Sequence, residues 1–203
     1  MANILETWFK QFERPEGVLG NVAGMIMAFE NKELNDWAIS LLHIEEDDRI
    51  LEIGFGPGIA IKKMSKIAEE GFVAGVDVSD TMLDQAKKRN EDAIEEGRVA
   101  LTTADVKNLP DYRQPFDKIL TINSLPLWEQ PAERVAELRE YLKPGGKIAI
   151  VLQSHDEGAT DETAETEGHT FVRYLEQAGY TNITMNIREM SPVNSVCVIG
   201  SAP

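Results

Sequence analysis

The stretch Arg49-Ile50-Leu51-Glu52-Ile53-Gly54-Phe55-Gly56-Pro57-Gly58 decides how this chain is read. A short, mostly apolar run reads as a strand, three alternating glycines follow it, and Ile59 opens a helical stretch. Glycines there let the chain turn sharply and let backbone N–H groups approach a ligand with no Cβ in the way. The N-terminus of the helix that follows adds partial positive charge, which favours an anionic group.

The next apolar run, Phe72-Val73-Ala74-Gly75-Val76-Asp77-Val78, closes on an acid. A carboxylate at the end of a second strand can accept from both hydroxyls of a ribose. Together the two features indicate a nucleoside-containing cofactor. A dinucleotide fingerprint needs Gly or Ala at position 59, where this chain has Ile59, and that departure disfavours a nicotinamide-dependent oxidoreductase.

Outward from this pair, short apolar runs at 49–53, 72–78, 99–103, 117–122 and 147–152 alternate with helical stretches at 59–70, 80–96 and 131–142. Near-continuous apolar strands joined by helices predict a parallel sheet covered on both faces. Ser79 is placed to cap one helix and Pro131 suits the first turn of another. After a helix expected at 170–178, runs at 182–189 and 195–201 follow with only Ser191-Pro192 between them, which predicts an antiparallel hairpin at the sheet edge. Ahead of the core, Ile4, Leu5, Trp8, Phe9 and Phe12 share a helical face, 21–29 suits a second helix, and Asn31 is a candidate N-cap for a third carrying Leu34, Trp37, Ala38, Leu41 and Leu42. The expectation is a single domain over 1–203, with 1–42 a helical cover and 43–203 an α/β core.

The string Leu51-Glu52-Ile53-Gly54-x-Gly56-x-Gly58 closely resembles motif I of class I S-adenosylmethionine-dependent methyltransferases. Gly75-Val76-Asp77-Val78-Ser79 with Met82-Leu83 resembles the second motif of that family, and Ala104-Asp105 resembles its adenine-contacting site. Asp117-Lys118-Ile119-Leu120 running into Asn123-Ser124 is similar to its fourth strand and cofactor-facing loop. Leu142-Lys143-Pro144-Gly145-Gly146-Lys147 is similar to its turn into strand five. The nearest flavour is the ubiquinone/menaquinone-biosynthesis-like, type 11 small-molecule group. The resemblance spans about residues 34–202. It implies a Rossmann-like, mostly parallel seven-stranded sheet with helices on both faces, an antiparallel C-terminal hairpin and an N-terminal helical cover.

It also implies S-adenosyl-L-methionine as cofactor and S-adenosyl-L-homocysteine as product. By the resemblance, Gly54, Gly56 and Gly58 admit the methionine part of the cofactor, and Glu52 supports its ammonium. Asp77 holds the ribose hydroxyls, Val78 and Met82 pack near the adenine, and Ala104 and Asp105 lie at its amino group. Asn123 and Ser124 line the methionine side. Val78 and Met82 suit core packing as well as contact.

The chemistry demands no fixed triad, because a methyl sulfonium is already a strong electrophile and in-line positioning does most of the work. If the acceptor is a hydroxyl or ammonium, a general base helps. His155 after strand five, Glu129 after strand four and Tyr112 near the loop after strand three are the candidates.

Composition bounds the partners. The 203 residues carry 35 Asp and Glu against 20 Lys and Arg, a net charge of −15. That field repels phosphate backbones and anionic lipid surfaces, so neither nucleic acid nor membrane is expected as a partner. The lone Cys197 excludes a disulfide framework and any multi-thiolate metal cluster, and no metal is expected. No targeting pattern is visible at the start, which leaves a cytoplasmic location as the default. The run 155–169 holds Asp156, Glu157, Asp161, Glu162, Glu165 and Glu167 with no Lys or Arg. It reads as a solvated, mobile loop, or as a lid attracting a cationic acceptor. The resemblance implies a small-molecule acceptor, and the acidity points to a cationic or neutral one. The competing readings are a protein or RNA methyltransferase and a non-catalytic cofactor-binding module.

Overall fold

The computed structural model describes residues 32–154 and 158–203. The helices expected over 1–29, the cap at Asn31 and residue His155 lie outside the described residues. The first described element is helix α1 (Lys32–Leu42). Strand β1 (Arg49–Ile53), helix α2 (Ile59–Ile67) and strand β2 (Phe72–Asp77) follow, then helices α3 (Asp80–Arg89) and α4 (Glu91–Glu95) and strand β3 (Val99–Thr103). The second half runs β4 (Phe116–Ile122), α5 (Pro131–Leu138), β5 (Leu142–Gln153), α6 (Asp161–Gln177), β6 (Thr181–Arg188) and β7 (Ser195–Ser201).

The seven strands form one sheet in the order β3-β2-β1-β4-β5-β7-β6. The first five strands pair in parallel, and β7 runs antiparallel to both β5 and β6. The strand order reverses between β1 and β4, so the crevice beyond their C-terminal ends is where an open α/β sheet takes its ligand. Side-chain alternation divides the core into two layers. Leu51, Ile53, Ala74, Val76, Ile148 and Ile150 face α5 and α6, where they meet Val135, Leu138, Phe171 and Leu175. Ile50, Val73, Leu120, Ala149 and Val151 face the other way, against Leu34, Trp37, Ala38 and Leu42 of α1 and Ala60, Ile61 and Met64 of α2. Thus the described end of the expected cover, α1, is a member of the layer that packs on the sheet.

Three local expectations need correction. The helical stretch 80–96 is two helices, because Asn90 leaves the helical conformation at the junction (φ −113°, ψ 19°). The turn Lys143-Pro144-Gly145-Gly146 lies within the irregular start of β5, where the register with β4 slips between Phe116 and Lys118. Most of the acidic run expected as a loop is helix: α6 begins at Asp161, not near 170. Thr160 and Thr163 form a reciprocal capping box, and Asp161 and Glu162 in the first turn suit the helix dipole. The buried face of that first half is carried by Ala164 and Gly168, too small to give a clear apolar period. A Cβ on Gly168 would come within 2.5 Å of the Met185 sulfur and 2.8 Å of Val196, so α6 lies close against the β6–β7 hairpin. Among the described residues no helix is long and apolar enough to cross a membrane.

Candidate active site

The glycine turn leaves β1 with the Gly54 N–H donating to the Val76 carbonyl at 2.8 Å and the Gly58 N–H to that of Phe55 at 2.9 Å. The three glycines do different jobs. A Cβ on Gly54 would lie 2.5 Å from the Ser124 Cβ, so the turn is pressed against the loop after β4. Gly58, with φ +77°, occupies the left-handed region as it opens α2, and a Cβ there would meet Ala86 of α3 at 2.7 Å. Gly56, with φ +50°, faces open space: nothing lies within 4 Å of its Cβ position. The open cradle is at Gly56, and its neighbours on either side hold the turn in place.

Asp77 locks that cradle. Its Oδ2 accepts from the Gly56 N–H at 2.8 Å and its Oδ1 from the Ser79 N–H at 2.9 Å. Burial pushes its pKa above the usual carboxylate range, against the downward pull of the Ser79, Gly56 and Val78 N–H groups. Glu52 lies on the same face of the sheet, since its register partner on β2 is Gly75, two residues before Asp77. It is 2% exposed. Burial first, and the negative charge of Asp77 second, raise its pKa to about 8, while a bond from the Ile61 N–H opposes the rise. Its second oxygen, Oε2, is buried with no hydrogen-bond partner among the described residues. An orphaned carboxylate oxygen costs free energy unless something cationic or hydrogen-donating meets it. Hydrogen-bond acceptors in the crevice, the open side of Gly56, and Val78 at 64% exposure beside Asp77 together fit a ligand with a cationic end, a hydroxylated middle and a flat apolar end.

The other candidates separate. Asn123, in the left-handed conformation at φ +57°, accepts from the Gln153 N–H at 2.8 Å and donates its own N–H to Val151 at 2.9 Å, tying the ends of β4 and β5 together. The Ser124 hydroxyl lies 2.9 Å from the Ile53 carbonyl and 2.6 Å from Thr121 Oγ1, so it braces the glycine turn. Ala104 donates to the Asp77 carbonyl at 2.9 Å, which brings Asp105 to the same rim. The Asp105 carboxylate accepts from the Lys107 N–H at 2.9 Å and stays partly exposed. Met82 is buried among core residues. Glu129, 82% exposed, pairs with Lys107 at 3.3 Å. Tyr112 is at the wrong end of the sheet for a base: it packs edge-on against Phe116, the first residue of β4, at 5.0 Å, and near Tyr141 just before β5. Burial raises its hydroxyl to about 12.

Three residues that matter here carry no motif. Asn90 donates its amide to the carbonyls of Gly58 at 3.1 Å and Ala86 at 2.8 Å, and Arg89 donates to the carbonyl of Pro57. Together they hold the far side of the turn. A buried asparagine inside a helical stretch, where it is a poor helix former, is the signal that could have found the first. Thr121, fully buried in an otherwise apolar strand end, is the third. Beyond β5 and β7, at the same end of the sheet, a hollow of about 480 Å³ is lined by Asp161, Glu189, Met190, Ser191, Pro192 and Asn194. Gln153 fixes its rim by donating to the carbonyls of Ser191 and Val193.

A parallel sheet with an antiparallel terminal pair, a glycine turn at its reversal point and an acid closing the next strand define a nucleoside-cofactor enzyme of the methyl-transferring class. Residues 50–146 match the family described as "Methyltransferase domain". The chain is 32% identical over 182 residues to an uncharacterized methyltransferase of Bacillus subtilis, YdaC, covering 90% of this chain and 98% of that one. It is 29% identical to the 2-phytyl-1,4-naphtoquinone methyltransferase of Nostoc punctiforme over 59% of this chain and 57% of that one. A solved S-adenosylmethionine-dependent methyltransferase from Aquifex aeolicus shares the fold with a TM-score of 0.67, at 20% identity, over 88% of this chain and 97% of that one. The chain belongs to the S-adenosylmethionine-dependent methyltransferase family.

Proposed function

We propose that this methyltransferase acts on a small-molecule acceptor, neutral or cationic, that docks at the C-terminal end of the sheet beside the glycine turn. The observation that carries the reading is the acidic C-terminal end of the sheet: Asp77 and Asp105 stand on the glycine-turn side, and an open hollow lies at the β6–β7 turn near the sheet edge. Its described wall joins two acids, Asp161 and Glu189, to the apolar Met190, with no cationic side chain among the described lining residues. The likeness to a naphthoquinone methyltransferase supports the small-molecule reading.

S-adenosylmethionine, when bound, supplies an electrophilic methyl group on a sulfonium. The chain's own residues supply position. Glu52 meets the ammonium, Asp77 accepts from the ribose hydroxyls, Val78 lies against the base, and Asp105 stands at its amino edge. The open face of Gly56 lets the methionine part come close. Ser124, Thr121, Asn90 and Arg89 hold the turn rigid, so that a nucleophile meets the methyl group in line and with water excluded. With Tyr112 at the opposite end and Glu129 paired to Lys107, the described side chains favour catalysis by positioning; His155 is the remaining candidate base. The test is incubation with fractionated metabolite extract, read by release of S-adenosylhomocysteine and by mass spectrometry of the product. Turnover confined to small-molecule fractions is the expected result. Turnover only with protein or tRNA fractions, or none with any fraction, contradicts it.

A further inference from the structure

We propose that Glu52 is a titrating anchor: it holds a proton in the cofactor-free protein and gives it up when the cofactor's ammonium enters, so that cofactor loading releases a proton. The inference rests on the cofactor placement described above and concerns how that same site selects its ligand. The balance is simple. Glu52 in its carboxylic acid form loses one proton to solvent, and the resulting carboxylate pairs with an ammonium that was already charged.

The surroundings of Glu52 leave few alternatives. From β2 the charged group facing it is Asp77, another acid. From α2 it receives a neutral N–H, that of Ile61. Its register partner on β4 is the apolar Leu120. Arg89 of α3, beside the glycine turn, donates to the Pro57 carbonyl. No ion pair among the described residues involves Glu52 or Asp77. Two buried acids without a cation do not both ionise near neutral pH, and the more deeply buried one keeps its proton. The orphaned Oε2 is the atom that either carries that proton or meets an incoming cation. Burial and the neighbouring Asp77 place the exchange close to the physiological range. A ligand that brings an ammonium displaces the proton; one that keeps the nucleoside and lacks the ammonium does not. Glu52 thereby separates the cofactor from nucleosides that satisfy Asp77 equally well.

The experiment is isothermal titration of the full chain with S-adenosylhomocysteine in buffers of different ionisation enthalpy, from pH 6 to 9. At pH 7 the dependence of heat on buffer should report release of about one proton, and affinity should rise about tenfold between pH 6 and 7. Methylthioadenosine, which has the nucleoside and no ammonium, should bind the same wild-type protein with no proton release. In Glu52→Gln the buffer dependence for S-adenosylhomocysteine should vanish. Binding of S-adenosylhomocysteine without proton release at pH 7, or equal release with methylthioadenosine, overturns the proposal and leaves the cofactor site standing. No binding of either ligand at any pH overturns the site itself and the proposal with it.

Discussion

At the N-terminal end of the strands, Asp117 sits 2.8 Å from the Lys143 ammonium and accepts the Arg49 N–H at 2.9 Å, and Asp48 lies 3.6 Å from Lys118. At the C-terminal end, Asp77 and Glu52 receive backbone N–H groups and, among the described residues, no cation. The pKa values part accordingly. Burial pushes Asp117 up, but the Lys143 bond, the Arg49 N–H and the charges of Lys143 and Lys118 outweigh it, and the net shift is downward. Glu52 and Asp77 both move up. The first end resembles a clamp, with its acids neutralised by the chain itself. The second carries an electrostatic deficit that a ligand can fill, which is how binding sites commonly differ from structural ion pairs.

The sharpest way to break the contrast is Asp77→Ala. In the proposed arrangement it removes two charge-assisted bonds to the ribose, and affinity for S-adenosylhomocysteine should fall by about 100-fold or more in a titration. Next is Glu52→Gln in the cofactor-free protein. A folded-state pKa raised from 4.5 to about 8 means the wild type loses stability as pH rises from about 4.5 through 8. Urea melts across that range should show a decline of a few kcal/mol that Glu52→Gln largely removes, with a smaller slope left by Asp77. A wild-type curve that is flat from pH 5 to 8 would contradict a neutral buried Glu52.

Gly58→Ala tests the rigidity of the turn. The left-handed φ and the approach to Ala86 should cost about 1–3 kcal/mol in urea unfolding at any pH. The smallest effect is expected at the other end. Asp117→Asn weakens a partly exposed pair and should cost about 1 kcal/mol at pH 7. Because the Asp117 pKa is depressed, that contribution should disappear as pH falls below about 4, so wild type and variant should converge in acid.

The cofactor end was more legible in the sequence than the rest. The glycine turn and Asp77 stand out because turn geometry and the proposed ribose contact restrict the residue type at each position. Strands 49–53 and 195–201 match β1 and β7 because buried strands are continuous apolar runs, and 99–103 matches β3 although only Val99 of that edge strand is buried. The first half of α6 was hidden: its inward face is Ala164 and Gly168, and close packing against Met185 replaces a hydrophobic stripe. Tyr112 was misplaced because sequence order set it near the loop after β3, whereas the chain has by then returned to the start of β4. Ser124, Asn123 and Asn90 look like ligand contacts or helix interior in one dimension, and their bonds to Ile53, Gln153 and Gly58 emerge only once distant strands and helices meet.

One titration addresses the contrast between the two ends most directly: S-adenosylhomocysteine against wild type, Asp77→Ala and Asp117→Asn, each checked for native fold by circular dichroism. The wild type should bind one ligand per chain, Asp117→Asn should bind within about twofold of it, and Asp77→Ala should lose about two orders of magnitude. Wild-type affinity in Asp77→Ala, or an equal loss in folded Asp117→Asn, would contradict the assignment of ligand binding to one end and structural clamping to the other.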